Sequence, residues 1–182
     1  GVQGFVYYHY WFSGSHAPPH HKVMAETLEA MLVDNEPNLP FMLSWANEPW
    51  TLRWNGESGS KTLLSQEYGD EQEWDEHFDY LMQFFDHPNY LRNLGKPVYV
   101  IYRTGHVGAK LVPMIKRWRI RAAQKGLPGL HIVQTIGSFY KTDDETSSLT
   151  TEAGIDASFH FWPQLTASFA SVNGKDTAST AD

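Results

Sequence analysis

The residue whose surroundings best suit it for chemistry is Glu48, in the run Trp45-Ala46-Asn47-Glu48-Pro49-Trp50. A carboxyl group walled by indole rings is poorly solvated, and desolvation disfavours its charged form. A carboxylic acid kept neutral in this way can donate a proton at neutral pH. Asn47 is suited to hold a sugar hydroxyl, and Trp45 and Trp50 to stack on a sugar face. The alternative role for Glu48 is structural, as a first-turn acid complementing a helix dipole. Arg53 and Trp54 follow closely. Arg53 is placed either to pair with Glu48, which would favour the charged carboxylate, or to grip an anionic or hydroxyl-rich ligand.

A second cluster precedes this one. Tyr7, Tyr8, His9, Tyr10 and Trp11 form a nearly unbroken aromatic run. In a strand, alternation sends residues 7, 9 and 11 to one face and 8 and 10 to the other. The group as a whole, from Tyr8, His9 and Tyr10 to Trp11, is expected to contribute substrate contacts. Tyr102 and Arg103 end a later apolar run, and His160 and Trp162 end another. Tyr102 and Trp162 are the expected pocket-lining residues there. Gln66, Glu67 and Tyr68 lie on the stretch after Trp54, where they could cap the pocket. Glu67 and Asp156 are the weaker candidates for a second carboxylate.

Several function classes are excluded or disfavoured. The chain has no cysteine, so it has no thiolate metal site and no thiol nucleophile. The compartment is left open. His16, His20 and His21 match no metal-binding pattern and read as loop histidines; no metal is expected. No phosphate-loop or dinucleotide fingerprint occurs, so no cofactor is expected. The net charge is −7 and no basic stretch tracks a phosphate backbone, which argues against a nucleic-acid partner. No apolar run is long enough to cross a bilayer.

The elements that must position these residues alternate. Gly4–Phe12, Phe41–Ala46, Pro97–Arg103, Leu130–Ile136 and Ile155–Phe161 read as strands, each a short apolar run. Val23, Met24, Leu28, Met31 and Leu32 recur at helical spacing, as do Trp74, Phe78, Leu81, Met82 and Phe85. Leu111, Ile115, Trp118 and Ala122 do so again, before Gly126. Residues 51–69 read as a long loop. Strands that are apolar on both faces, alternating with helices, imply an α/β fold with a parallel sheet. Polar and aromatic groups gather where strands give way to loops. That favours a (β/α)8 TIM-type barrel over an open sheet, because a barrel brings all such ends to one face. About five of the eight strands are present, so the expected barrel is incomplete. Residues 1–165 form this domain, and the Ser/Thr/Ala-rich tail 166–182 is expected to be disordered or out of context. The chain opens at Gly1 without an initiator Met and reads as a piece of a longer protein.

The segments GFVYYHYWF, LPFMLSWANEPWTLRW and GKPVYVIYR occur in the order found in WbsX-type proteins. The chain resembles these from Gly4 to about Trp162. They are commonly labelled glycosyltransferases of surface-polysaccharide (lipopolysaccharide) synthesis. They are similar to glycoside hydrolase family 99, the endo-α-mannosidase and endo-α-mannanase barrels. The resemblance implies a barrel enzyme that cleaves or builds the glycosidic bonds of an oligosaccharide or polysaccharide. Glu48 with Pro49 matches the family 99 pattern His-Ile-Glu-Pro-Tyr, whose Glu lines the sugar site; Asn47 stands for the Ile and Trp50 for the Tyr. Both families also carry a late Glu-Trp-x-Glu motif, used by family 99 for acid/base work. None occurs here: the only Trp after residue 118 is Trp162, followed by Pro163. The main catalytic pair is therefore expected to lie outside this chain. The rival expectation is a non-catalytic carbohydrate-binding barrel.

Overall fold

The computed structural model describes residues 1–52, 61–136 and 144–160. The chain runs through β1 (Phe5–Trp11), β2 (Lys22–Val23), α1 (Glu26–Asp34), β3 (Phe41–Trp45), β4 (Trp50–Thr51) and β5 (Thr62–Leu64). It continues through α2 (Glu71–Phe85), β6 (Arg92–Asn93), β7 (Lys96–Ile101) and α3 (Thr104–Val107). The last elements are α4 (Leu111–Gln124), β8 (His131–Ile136), α5 (Asp144–Ala153) and β9 (Ala157–His160).

The fold is α/β. Strands β1, β3, β7, β8 and β9 pair in parallel, and their order in the sheet is their order in the chain. The short strands β2 and β6 pair antiparallel with β1 and β7. The registers align one row of residues across the sheet: Tyr8, Ser44, Val100, Val133 and Ala157.

Alternation along the strands divides the sheet into two faces. Phe41, Leu43 and Trp45 of β3, Tyr99 and Ile101 of β7 and Ile132 of β8 belong to one large core. The same core takes in the apolar sides of α1, α2 and α4 and Ala153 of α5. The helices therefore cover one face. On the other, Val98, Val100 and Val133 form a small separate cluster with Met42. Val6, Tyr8 and Phe159 remain exposed.

Helix α2 begins at a capping box, with the Asp70 carboxylate accepting from the Gln72 and Glu73 amides and Glu73 reaching back to the Asp70 amide. It packs on α4, where Arg117 grips Asp75 through two bonds of 2.7 and 2.8 Å. Gly126, just past α4, takes φ +81°, a left-handed turn that glycine adopts without steric cost.

Two sequence expectations change. Val23 pairs with Tyr10 in β2 and Met24 takes a positive φ, so the helix expected from Val23 begins only at Glu26. Within the expected 51–69 loop, β5 pairs with β4 in a two-stranded sheet. The sequence DETSSLTTEA forms α5, whose Ser/Thr-rich composition hides the few apolar positions that dock it. The tail 166–182 lies outside the described residues.

Candidate functional site

The C-terminal ends of β1, β3 and β7 open onto a cleft of about 760 Å3. In parallel α/β sheets this is the end at which ligands bind. Tyr8 and Tyr10 reach it from β1, Glu48 and Trp50 from the segment after β3, and Tyr102 and His106 from the segment after β7. Its walls are aromatic. Tyr10 meets Trp50 edge-on at 5.3 Å, and Tyr8 meets Tyr102 edge-on at 6.0 Å. Phe12 braces Trp50 at 5.9 Å.

Glu48 accepts a 2.8 Å bond from Nε of Arg103, whose guanidinium lies 4.4 Å over the Tyr102 ring. This changes the expected environment of the acid. Trp45 turns to the helix side, so of the two indoles flanking Glu48 in its motif only Trp50 shares the cleft with it, and the Glu48 side chain is 35% exposed and ion-paired. Glu48 does not start a helix, because the chain passes through Pro49 into β4. The expected partner Arg53 lies outside the described residues, and Arg103 does the pairing, from 55 residues away. Burial raises the Tyr8 phenol above its ordinary value, with smaller contributions from Tyr102, Tyr10 and Glu48 and an opposing one from Arg103. Burial lowers the His106 imidazole, with Glu48 opposing and Arg103 reinforcing.

Of the expected contact residues, Tyr8, Tyr10, Trp50 and Tyr102 come together with Glu48 around the cleft. Four others do not line it. His9, Trp11 and Trp45 are 2%, 5% and 2% exposed and lie in the core beneath the helices. His9 approaches His77 of α2 at 2.9 Å and Tyr99 at 3.2 Å, while Trp11 stacks on the His77 ring at 4.7 Å. The reason is alternation: residues 9 and 11 face the helices because 8 and 10 face the cleft. Asn47 is fully buried, and its amide is committed to the main chain of Arg103 and the hydroxyl of Tyr68. Trp162 lies outside the described residues.

Glu67 lies against Gly14 and His16 and does not line the cleft. Asp156 pairs with Arg119 and accepts from the Ile132 amide at the opposite ends of the strands. His106 was not anticipated. The one signal was its place three residues after the strand-end Arg103. Among the described residues, no group of three or more His, Asp or Glu is placed to hold a metal ion. No described helix is long and apolar enough to cross a membrane.

Comparison with known proteins supplies the family. The model of the family described as Glycosyltransferase WbsX matches residues 1–181. Two curated relatives, both named uncharacterized protein WxcX, come from two strains of Xanthomonas campestris pv. campestris. Each is 27% identical over 165 residues, covering 91% of this chain and 21% of the relative. The chain thus spans about a fifth of the length of the curated relatives it matches. No solved structure matches. With nearly every residue inside the family model, this chain belongs to the WbsX glycosyltransferase family.

Proposed function

We propose that the parallel sheet is part of a (β/α)8 barrel and that the cleft at its strand ends is the glycan site of a carbohydrate-active enzyme. Two features of the sheet support the barrel. Among the described residues its parallel strands run in chain order without the reversal of a doubly wound sheet, and the helices cover one face. The row from Tyr8 to Ala157 then faces the barrel interior, and further strands are supplied by the longer parent protein.

The observation that carries the glycan reading is the pairing of aromatic walls with a held carboxylate. Tyr8, Tyr10, Trp50 and Tyr102 offer ring faces to the apolar side of a sugar, and Glu48 offers acceptor oxygens to its hydroxyls. Family membership points to the same substrate class. With its carboxyl group already accepting from Arg103, Glu48 is suited to binding sugar hydroxyls or to stabilising developing positive charge. Ordinary glycoside hydrolysis needs two carboxyl groups flanking the bond. The described lining of the cleft holds only Glu48, so the partner carboxylate comes from outside the described residues. Hydrolysis of the family 99 type and glycosyl transfer of the WbsX type both fit this arrangement. A non-catalytic glycan-binding barrel is the second reading, favoured by the single carboxylate in that lining.

The test compares the full-length protein with its Glu48→Gln variant on a glycan array and in a mannan-degradation assay. Turnover that falls by orders of magnitude in the variant supports the enzyme. Equal glycan binding by both, with turnover by neither, supports the binding barrel. Loss of all glycan binding and turnover in the wild type removes the glycan reading.

A further inference from the structure

The pair formed by Glu48 and Arg103 brings together residues from two strand ends, and something must hold those ends in register. Pro49 ends the run of usable amides after β3. The last backbone rung between β3 and β7 is the Tyr102 amide donating to the Trp45 carbonyl at 3.1 Å. Beyond it the side chain of Asn47 takes over. Its Nδ2 donates to the Arg103 carbonyl at 2.8 Å, and its Oδ1 accepts from the Arg103 amide at 2.7 Å. A buried side-chain amide thus copies one more rung of the ladder.

Asn47 is itself held from outside the sheet. The Tyr68 hydroxyl donates to the Asn47 carbonyl at 2.9 Å and accepts from Asn47 Nδ2 at 3.3 Å. Tyr68 does not line the cleft. Its loop is braced on several sides. Trp74 Nε1 of α2 donates to the Tyr68 carbonyl at 2.6 Å, Gln66 Nε2 donates to the Trp11 carbonyl at 3.2 Å, and Lys110 Nζ donates to the Gly69 carbonyl at 2.6 Å. Gly69 takes φ +53°, and a Cβ there would come within 2.4 Å of Glu73 Oε2, so the loop can press onto α2 only with glycine at this position. Burial pushes the Tyr68 phenol well above its ordinary range, which keeps its proton available for the Asn47 carbonyl.

We propose that Tyr68 is a positioning residue for the cleft: its hydroxyl orients Asn47, Asn47 fixes the main chain of Arg103, and Arg103 holds the carboxylate of Glu48. The significance of this relay rests on the glycan reading of the cleft, whereas its test does not. In the full-length protein, two measurements follow the relay without any glycan. Residue-resolved hydrogen exchange reads the Arg103 amide, and labelling with a water-soluble carbodiimide, followed by mass spectrometry, reads the accessibility of Glu48. Tyr68→Phe removes one hydroxyl from a ring that otherwise keeps its packing. It is expected to speed exchange at Arg103 roughly five- to tenfold, the worth of one modest hydrogen bond, and to raise labelling of Glu48 but not of Glu67. Asn47→Asp, which lacks both donated hydrogens, is expected to do the same more strongly. Amides of α2 and α4 keep their wild-type exchange. Unchanged exchange at Arg103 in Tyr68→Phe overturns the relay. Exchange that rises equally in α2 and α4 also overturns it, because Tyr68 would then be an ordinary stabilising residue. Faster exchange at Arg103 with unchanged labelling of Glu48 overturns the last link.

Discussion

The two faces of β1 are built from the same kinds of residue and end in opposite environments. On the helix side, His9, Trp11 and Trp45 meet His77, Tyr99 and Trp118 in an enclosed aromatic cluster. On the cleft side, Tyr8, Tyr10 and Trp50 meet Tyr102, Glu48 and His106 around open space. Polar aromatic residues are thus no mark of a binding surface in themselves. What separates the two groups is a period of two along the strand and the presence of helices over one face. In the enclosed group His9, His77, Tyr99, Trp45 and Trp118 bond to neighbours within the protein, while the Trp11 indole nitrogen is buried without a partner. In the open group the same atom types keep their access to ligand and water.

The sharpest way to break this comparison is to truncate one tryptophan on each side. Trp45→Ala opens a cavity in the core and is expected to cost about 3–5 kcal/mol, read as the shift in a denaturant unfolding curve. Trp50→Ala, at the cleft, is expected to cost far less stability while lowering affinity for whichever glycan the array reveals. Equal destabilisation by the two would show that the cleft wall is as much a part of the core as the helix side.

Acid separates the faces next. Burial lowers the His9 imidazole from its ordinary 6.5 to about 3, and His77 is lowered in the same direction by burial and by the proximity of His9 and His21. Both are buried as neutral rings. Between about pH 6.5 and 3 the unfolded chain binds a proton at His9 that the folded chain does not. Stability contributed by the neutral ring is therefore present above the unfolded value and is lost as pH falls, at up to about 1.4 kcal/mol per pH unit for one group. Unfolding curves from pH 7 to 4 should show this slope, and His77→Gln should make it shallower. An unchanged slope in that variant would remove His77 from the acid response.

The smallest expected contrast is between two hydroxyl groups. Tyr99 is fully buried, with its hydroxyl 3.2 Å from His9 and 3.4 Å from His77. Tyr99→Phe is expected to cost about 1–2 kcal/mol, since it removes a buried hydrogen-bonding group from the His9–His77 pair. Tyr8, which is 44% exposed, should lose less than about 0.5 kcal/mol on the same change. Matched losses at the two positions would sharpen the picture differently, by placing Tyr8 inside a closed interior in the intact protein.

Much of this was legible in the chain itself. The five parallel strands follow from short apolar runs, and α2 and α4 from spacing of three and four between large apolar residues. The aromatic density around Glu48 marked the strand end that opens on the cleft. The pattern also stated that residues 8 and 10 oppose 9 and 11. It could not say which pair faces the helices, because both pairs are aromatic and neither is simply apolar. Local sequence likewise suggested Arg53 as the partner of Glu48, since it is near in the chain. Arg53 lies outside the described residues, and among those described the partner is Arg103, brought alongside by the parallel pairing of β3 with β7. Asn47 carries the same lesson: its amide suits a sugar hydroxyl equally well until the neighbouring strand supplies a main chain for it to grip. Element type and the presence of a carboxylate are local properties, set by side-chain chemistry and periodicity. Which face is enclosed, and which charge meets which, are non-local properties decided when distant strands align and the helices settle on one side.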